Sequence, residues 1–186
     1  MELWDLYDRN RIPLGKTHAR GQKLKYGEYH LVVDIVSVNQ DNKILITRRH
    51  PEKTYGGLWE TTGGSAIAGE TSINAAVREL FEETGLKVKP CELAYCGTLV
   101  REKSNCIHDF YLYKGDFSET DIVLQEGETV DFKLAASEEL NNMNQSGKFL
   151  SFVYDRLNVI YSDYIKIAKY IHNDPTEWGN DCFNIF

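Results

Sequence analysis

Residues Gly64 to Leu86 read GSAIAGETSINAAVRELFEETGL. Ile73, Ala76, Val77, Leu80 and Phe81 recur at helical steps and predict an amphipathic helix with one apolar stripe. Thr71 or Ser72 supplies the N-cap, and Gly85 followed by Leu86 supplies a left-handed stop with an apolar contact. Glu79, Glu82 and Glu83 stand at i, i+3 and i+4, so they share a second face of the same helix. Three carboxylates held that close repel one another. A hard divalent cation with a preference for carboxylate oxygen, Mg²⁺ or Mn²⁺ in its place, would offset the cost.

The chain around this helix has the length and composition of one globular domain. It has 186 residues, of which 42% are hydrophobic and 26% charged, enough for one sizeable core and short for two. The reading is a single domain over 1–186, with an N-terminal hairpin and loop (1–28), a core (29–140) and a C-terminal helical segment with a tail (141–186). No apolar run reaches about 18 residues, so no membrane span is expected. The start, MELWDLYDRNR, lacks the basic-then-apolar order of a secretory leader, which points to the cytoplasm. Cys91, Cys96, Cys106 and Cys182 show neither a Cys-X-X-Cys pair nor a ligand-like spacing to histidine, and are expected to be thiols. The net charge of −7 argues against a partner that is a nucleic-acid polymer.

In chain order, residues 3–14 alternate around Asp8-Arg9-Asn10 and predict a small hairpin, followed by an ordered loop, GKTHARGQKLKYGE. Lys16, His18, Arg20 or Lys23 of that loop could lend charge to phosphates. His30 to Val38 is β-branched and apolar on both faces, the pattern of an internal strand. Asn39-Gln40-Asp41-Asn42 predicts a turn, so Lys43 to Arg49 should complete a hairpin with it. Leu58 to Gly64 reads as a short strand, and Cys91 to Val100, Ile107 to Asp116 and Thr129 to Ala136 as three more. Ser137 is expected to cap a helix beginning at Glu138. A last helix should run from Phe149 to about His172, ahead of an aromatic tail (Trp178, Phe183, Phe186) that could fold back or meet a second copy in a homodimer.

The glutamate helix carries fixed punctuation. Gly64 is followed after five residues by Glu70, then after seven by Arg78-Glu79, Leu80, Glu82-Glu83, Gly85 and Leu86. These nine specified positions across 23 residues resemble the box of the Nudix hydrolases, and the order of elements from His30 to Leu140 resembles that family too. The resemblance implies an α/β fold, an α/β/α sandwich with a central mixed sheet and a loop-helix-loop catalytic motif. It implies that Glu79 and Glu83 are the principal metal ligands, with Glu82 a further or water-mediated one. Arg78 and Glu70 would brace the helix, and Gly64 and Gly85 would allow its tight turns. A further glutamate from the loop before the last strand would be Glu126 or Glu128, with Glu128 better placed.

The implied activity is Mg²⁺-dependent hydrolysis of a phosphoanhydride in a small diphosphate substrate, such as a nucleoside diphosphate linked to another group. Arg48, Arg49, Tyr55, Trp59 and Phe110 are candidates for substrate contact. Within the superfamily, EYHLVVDIV and ILITRRHPEKTYGGLWETTGG resemble the isopentenyl-diphosphate isomerase branch and its hydrolase relatives. Glu60-Thr61-Thr62-Gly63-Gly64 stands where those isomerases carry their cysteine and a metal-ligating histidine, which removes the isomerase chemistry. His30, at another isomerase ligand position, is expected to be structural. A non-catalytic ligand-binding protein is the remaining alternative, and the intact box speaks against it.

Overall fold

A computed structural model describes residues 2–157. Its elements in order are β1 (Leu3–Tyr7), β2 (Pro13–Ala19), β3 (His30–Val38), β4 (Ile44–Arg49), β5 (Trp59–Glu60) and β6 (Thr62–Ser65). Then come α1 (Ser72–Thr84), β7 (Leu93–Arg101), β8 (Cys106–Lys114), β9 (Thr129–Ala135) and α2 (Ser137–Gln145). Residues 151–157 are helical again. Of the stripe expected in the last helix, Phe149, Val153 and Leu157 are buried, while the remainder, the aromatic tail and Cys182 lie outside the described residues.

The internal strand organises two cores. Alternate residues of β3 point to opposite faces of the sheet. Leu31, Val33 and Ile35 pack with Ala75, Ala76 and Leu80 of α1, whereas Val36 and Val38 pack with Leu140, Phe149, Leu150 and Val153. β4 follows the same rule, with Leu45 in the first core and Ile44 and Ile46 in the second. Helices therefore cover both faces, which is the α/β/α layering, and the sheet is mixed because β3 runs parallel to β8 and antiparallel to β6.

The expected β3–β4 hairpin closes only at its turn, where Val38 pairs with Ile44. Beyond that point the strands part, and residues 59–65 lie between them. β5 pairs with β4 (Thr47 with Glu60), and β6 pairs with β3 (Asp34 with Gly63). The single strand expected from Leu58 to Gly64 is accordingly two short strands that break at Thr61. This insertion brings Glu60, Gly63 and Gly64 into the heart of the sheet, beside α1.

Three smaller expectations also change. Gly15–Ala19, expected within a loop, belongs to β2, which pairs with β1 as a separate two-stranded sheet. Ser137 is the first residue of α2, and Ala136 holds the N-cap position without a side-chain bond. Phe81 is exposed, with the Lys87 ammonium 5.9 Å from its ring centre, so it does not belong to the buried stripe.

The N-terminal hairpin is latched to the core. Arg11 donates through both terminal nitrogens to Asp109, a carboxylate with no solvent exposure, at 2.6 Å for the Nη1–Oδ1 bond. The Leu3 carbonyl accepts from the Ala68 N–H, and Asp5 accepts from the Gly69 N–H, so β1 is tied to the loop that leads into α1. Lys16 pairs with Glu28 and Arg20 with Glu2, while His18 Nε2 meets the Gln22 carbonyl. His30 is a packing residue, stacked on Trp4 at 3.9 Å, and burial lowers its pKa to about 4, which keeps the ring neutral. Cys96 and Cys106 carry no disulfide.

Candidate active site

The local sequence sets α1 in place. The Thr71 hydroxyl accepts from the Asn74 N–H at 3.4 Å, and Gly85 takes φ +76° while its N–H reaches the Phe81 carbonyl. The buried positions of the helix are Ser72, Ala75, Ala76, Leu80, Glu83 and Thr84. This row recurs at three- and four-residue steps and includes a glutamate. Glu83 therefore faces inward with the apolar residues, and Glu82 faces solvent.

Burial governs the chemistry of Glu83. Loss of solvent pushes its carboxyl well above the ordinary value, and the charges of Glu60 and Glu79 add to the rise. Lys53 and the Gly63 N–H pull the other way. The Glu79 carboxyl is also raised by burial, opposed by Arg78. Glu79 is packed so closely to the sheet that a Cβ on Gly64 would fall 2.2 Å from its carboxylate, so residue 64 has to be glycine for Glu79 to keep this position.

Arg78 ties the cluster together. Its Nε and Nη2 reach the two Glu70 oxygens at 2.9 Å each, and Nη2 also donates to the Ser65 carbonyl at 3.0 Å. Nη1 donates to Glu79 Oε1 and to Glu82 Oε2, again at 2.9 Å. These bonds, Glu70 first, raise the guanidinium's pKa, so its positive charge is permanent. The second oxygens of Glu79 and Glu82 are left clear of Arg78.

Glu60 is the site residue that sequence reasoning passed over. It is mostly buried, forms an ion pair with Arg49, and its carboxyl is raised by burial despite that partner. Its only sequence signal is an acidic residue after Leu58-Trp59 in a strand-like run. Glu128 forms an ion pair with Lys53, whose charge also acts on Glu60 and Glu83, so the loop before β9 reaches the edge of the cluster. Glu126 is exposed. Among the described residues no three metal-binding side chains are already gathered around one point. Arg78 occupies one oxygen each of Glu79 and Glu82, and Glu83 is turned to Gly63. Arg48 lies 5.7 Å from the centre of the Trp59 ring and 3.6 Å from Asp131, while Tyr55 is exposed and Phe110 buried.

A NUDIX domain model matches residues 28–152. The chain belongs to the Nudix family. An uncharacterized Nudix hydrolase of Listeria monocytogenes serovar 1/2a is 34% identical over 177 residues, covering 92% of this chain and 99% of the relative. Nudix hydrolases act on acid anhydrides in phosphorus-containing substrates, and this Nudix chain is one of that class. The structure of DR0079 from Deinococcus radiodurans superposes with a TM-score of 0.67 at 18% identity, covering 80% of this chain and 91% of the other, and shares the fold. A bifunctional NMN adenylyltransferase/ADP ribose pyrophosphatase from Francisella tularensis, complexed with AMP and a manganese ion, gives 0.59 at 21% identity, covering 73% and 42%.

The isomerase branch is represented by an isopentenyl-diphosphate Delta-isomerase of Pectobacterium atrosepticum, 37% identical over 84 residues, 44% of this chain and 46% of the relative. In the Nudix chain described here, Cys106 lies 3.7 Å from His30 Nε2, but burial raises its thiol pKa and so suppresses the reactive thiolate.

Proposed function

We propose that the chain is a Mg²⁺-dependent pyrophosphohydrolase that cleaves the diphosphate of a nucleoside-diphosphate-linked or similar small molecule. The observation that carries this reading is the buried set Glu60, Glu79 and Glu83, whose mutual repulsion and burial are only partly relieved by Arg49, Arg78 and Lys53. Manganese accompanies one structural neighbour, and Mn²⁺ would serve the same oxygen ligands.

The donor set fits a hard cation. Glu79 and Glu83 would hold it, with Glu82 through its remaining oxygen and Glu128 from the opposite edge once Lys53 yields. Bound there, the ion would neutralise the diphosphate and acidify a water. The protein's own groups do the rest. Arg78, fixed by Glu70 and the Ser65 carbonyl, aims Glu79 and Glu82 and prevents them from turning away. Glu60 suits a proton acceptor, because a carboxyl pKa raised by burial makes a stronger base. Arg48 and Trp59, stacked together at the mouth of the β4–β5 pair, would contact the rest of the substrate.

The test is to incubate the protein with nucleotide sugars, dinucleotides, nucleoside triphosphates and isoprenoid diphosphates, with Mg²⁺ or with chelator. Metal-dependent release of monophosphate or phosphate is expected from at least one diphosphate. An isomerised product, or binding without turnover across the panel, would overturn the reading.

A further inference from the structure

Among the described residues on the face of the sheet opposite α1, cationic side chains outnumber their acidic partners. The Arg101 and Arg156 guanidiniums lie 5.1 and 5.3 Å from the centre of one ring, Phe152, and Arg156 also lies 5.7 Å from Phe110. Arg156 is largely buried, and its Nε has no hydrogen-bond partner. Its Nη1 stands 3.3 Å from Asp34 Oδ2 and 3.0 Å from His108 Nδ1, while that same Nδ1 is 2.7 Å from Asp34 Oδ2. One ring nitrogen cannot serve both neighbours. Protonated, it donates to Asp34 and confronts an Arg156 N–H; bare, it accepts from Arg156 and faces a carboxylate lone pair. Among the described residues Asp34 is the one carboxylate in contact with this group, and Arg101 meets the Phe152 ring rather than an acid. Two adjacent guanidiniums, Arg156 largely buried and Arg101 half-buried, are thus met by one carboxylate among the described residues, an excess of positive charge that a bound anion would offset.

The place of this group gives it a role. Asp34 opposes Gly63 in the β3–β6 ladder, and a Cβ on Gly63 would come within 3.5 Å of Asp34 Oδ1. The N–H of the same glycine faces Glu83. The arginine group therefore neighbours the glutamate cluster where residues 59–65 lie between β3 and β4, close enough that the charge of Glu60 acts on Arg156 and that of Asp34 on Glu60.

We propose that Arg101 and Arg156 form an anion subsite for a second phosphate on the substrate, one that is not part of the cleaved diphosphate. The proposal rests on the hydrolase reading for its substrate, and it narrows that substrate to diphosphates with an additional phosphate at the far end. A planar guanidinium held against an aromatic ring, as Arg101 is, keeps its N–H edge free for bidentate contact with phosphate oxygens, while Arg156, its Nη1 engaged by Asp34 and His108, adds positive charge beside it.

The test begins with the full chain in chelator, where the glutamates have no metal and repel anions. Inorganic phosphate is titrated calorimetrically. Saturable one-to-one binding is expected, weakened at least tenfold in Arg101→Gln and by less in Arg101→Lys, which keeps the charge but loses the fork. A thermal melt verifies each variant's fold, and if Arg101→Gln does not fold, the lysine variant decides. Absence of saturable binding, or equal binding by the wild type and the variants, would overturn the proposal. So would binding of uncharged adenosine that Phe152→Ala abolishes without any phosphate binding, since the recess would then stack a base. With Mg²⁺, NADP⁺ should show a lower KM than NAD⁺, and Arg101→Gln should erase that advantage. Phosphate binding without turnover of any diphosphate would sink the hydrolase reading and leave the subsite; turnover without phosphate binding would do the reverse.

Discussion

Glu83 is the residue at which burial and charge conflict most directly. A carboxyl whose folded-state pKa lies above its unfolded value binds its proton more tightly in the native protein. The metal-free fold therefore loses stability as pH rises through the window between those two values, and Glu79 acts in the same direction. A divalent ion reverses the trend, because it binds the deprotonated carboxylates and displaces the proton. Melting curves between pH 5 and pH 8 in chelator should fall with pH more steeply for the wild type than for Glu83→Gln. Added Mg²⁺ should raise the wild-type melting temperature more at pH 8 than at pH 5. Parallel curves for the two proteins would mean that Glu83 does not carry the conflict. The periodic stripe read from sequence could not reveal this position. Phe81 and Glu83 lie on nearly opposite sides of α1, and hydrophobicity alone assigns the inward place to Phe81. The opening beside Gly63 instead admits a carboxylate and leaves the ring to solvent.

At the scale of elements, the loop-helix-loop motif was legible because its instructions are local. The Thr71 cap and the Gly85 stop lie within one short segment, and each has a geometric consequence visible along the chain, while the Arg78–Glu70 brace was legible through the Nudix resemblance. Gly64 was legible as a position but not in its role: expected to allow a tight turn, it lies in β6, where its missing side chain makes room for the Glu79 carboxylate. Gly64→Ala would place a methyl group on the Glu79 carboxylate, and the flexible side chain would swing away rather than break the sheet. Activity should then fall on the order of 100-fold, the cost of misplacing a reacting group by about 1 Å, with a stability loss of about 1 kcal/mol or less. Steady-state kinetics beside a denaturant melt would check the split, and a large loss of stability with normal activity per folded molecule would contradict it. The opening of the β3–β4 hairpin was not legible. A turn signal specifies that two strands meet, but only residues 59–65 decide how far they stay together. Glu60 was missed for the same reason, since its surroundings come from β4 and α1 rather than from its neighbours in sequence.

Over the whole molecule, two cores and one latch hold the parts in register. The β-branched strand with apolar residues on both faces could be read as internal to the sheet, while the α/β/α layering was legible through the Nudix resemblance. The latch could not, because Arg11 and Asp109 are separated by 98 positions and neither belongs to a recognisable pattern. Arg11→Ala leaves a fully buried carboxylate unpaired, and a destabilisation of about 3–5 kcal/mol is expected from urea unfolding. Removing both charges with Arg11→Met and Asp109→Leu together should recover most of it, and no recovery would show that the loss lies in packing of the hairpin rather than in the orphaned charge. The parts converge on the glutamates of α1, and the most direct measurement is Mg²⁺-dependent turnover of a diphosphate by the wild type and by Glu83→Gln under identical conditions. The account predicts a loss of roughly 100- to 1,000-fold in kcat, on the order seen when a preorganised charge-stabilising group is removed, in a variant that melts no lower than the wild type in chelator. Retained activity in a correctly folded Glu83→Gln would contradict it.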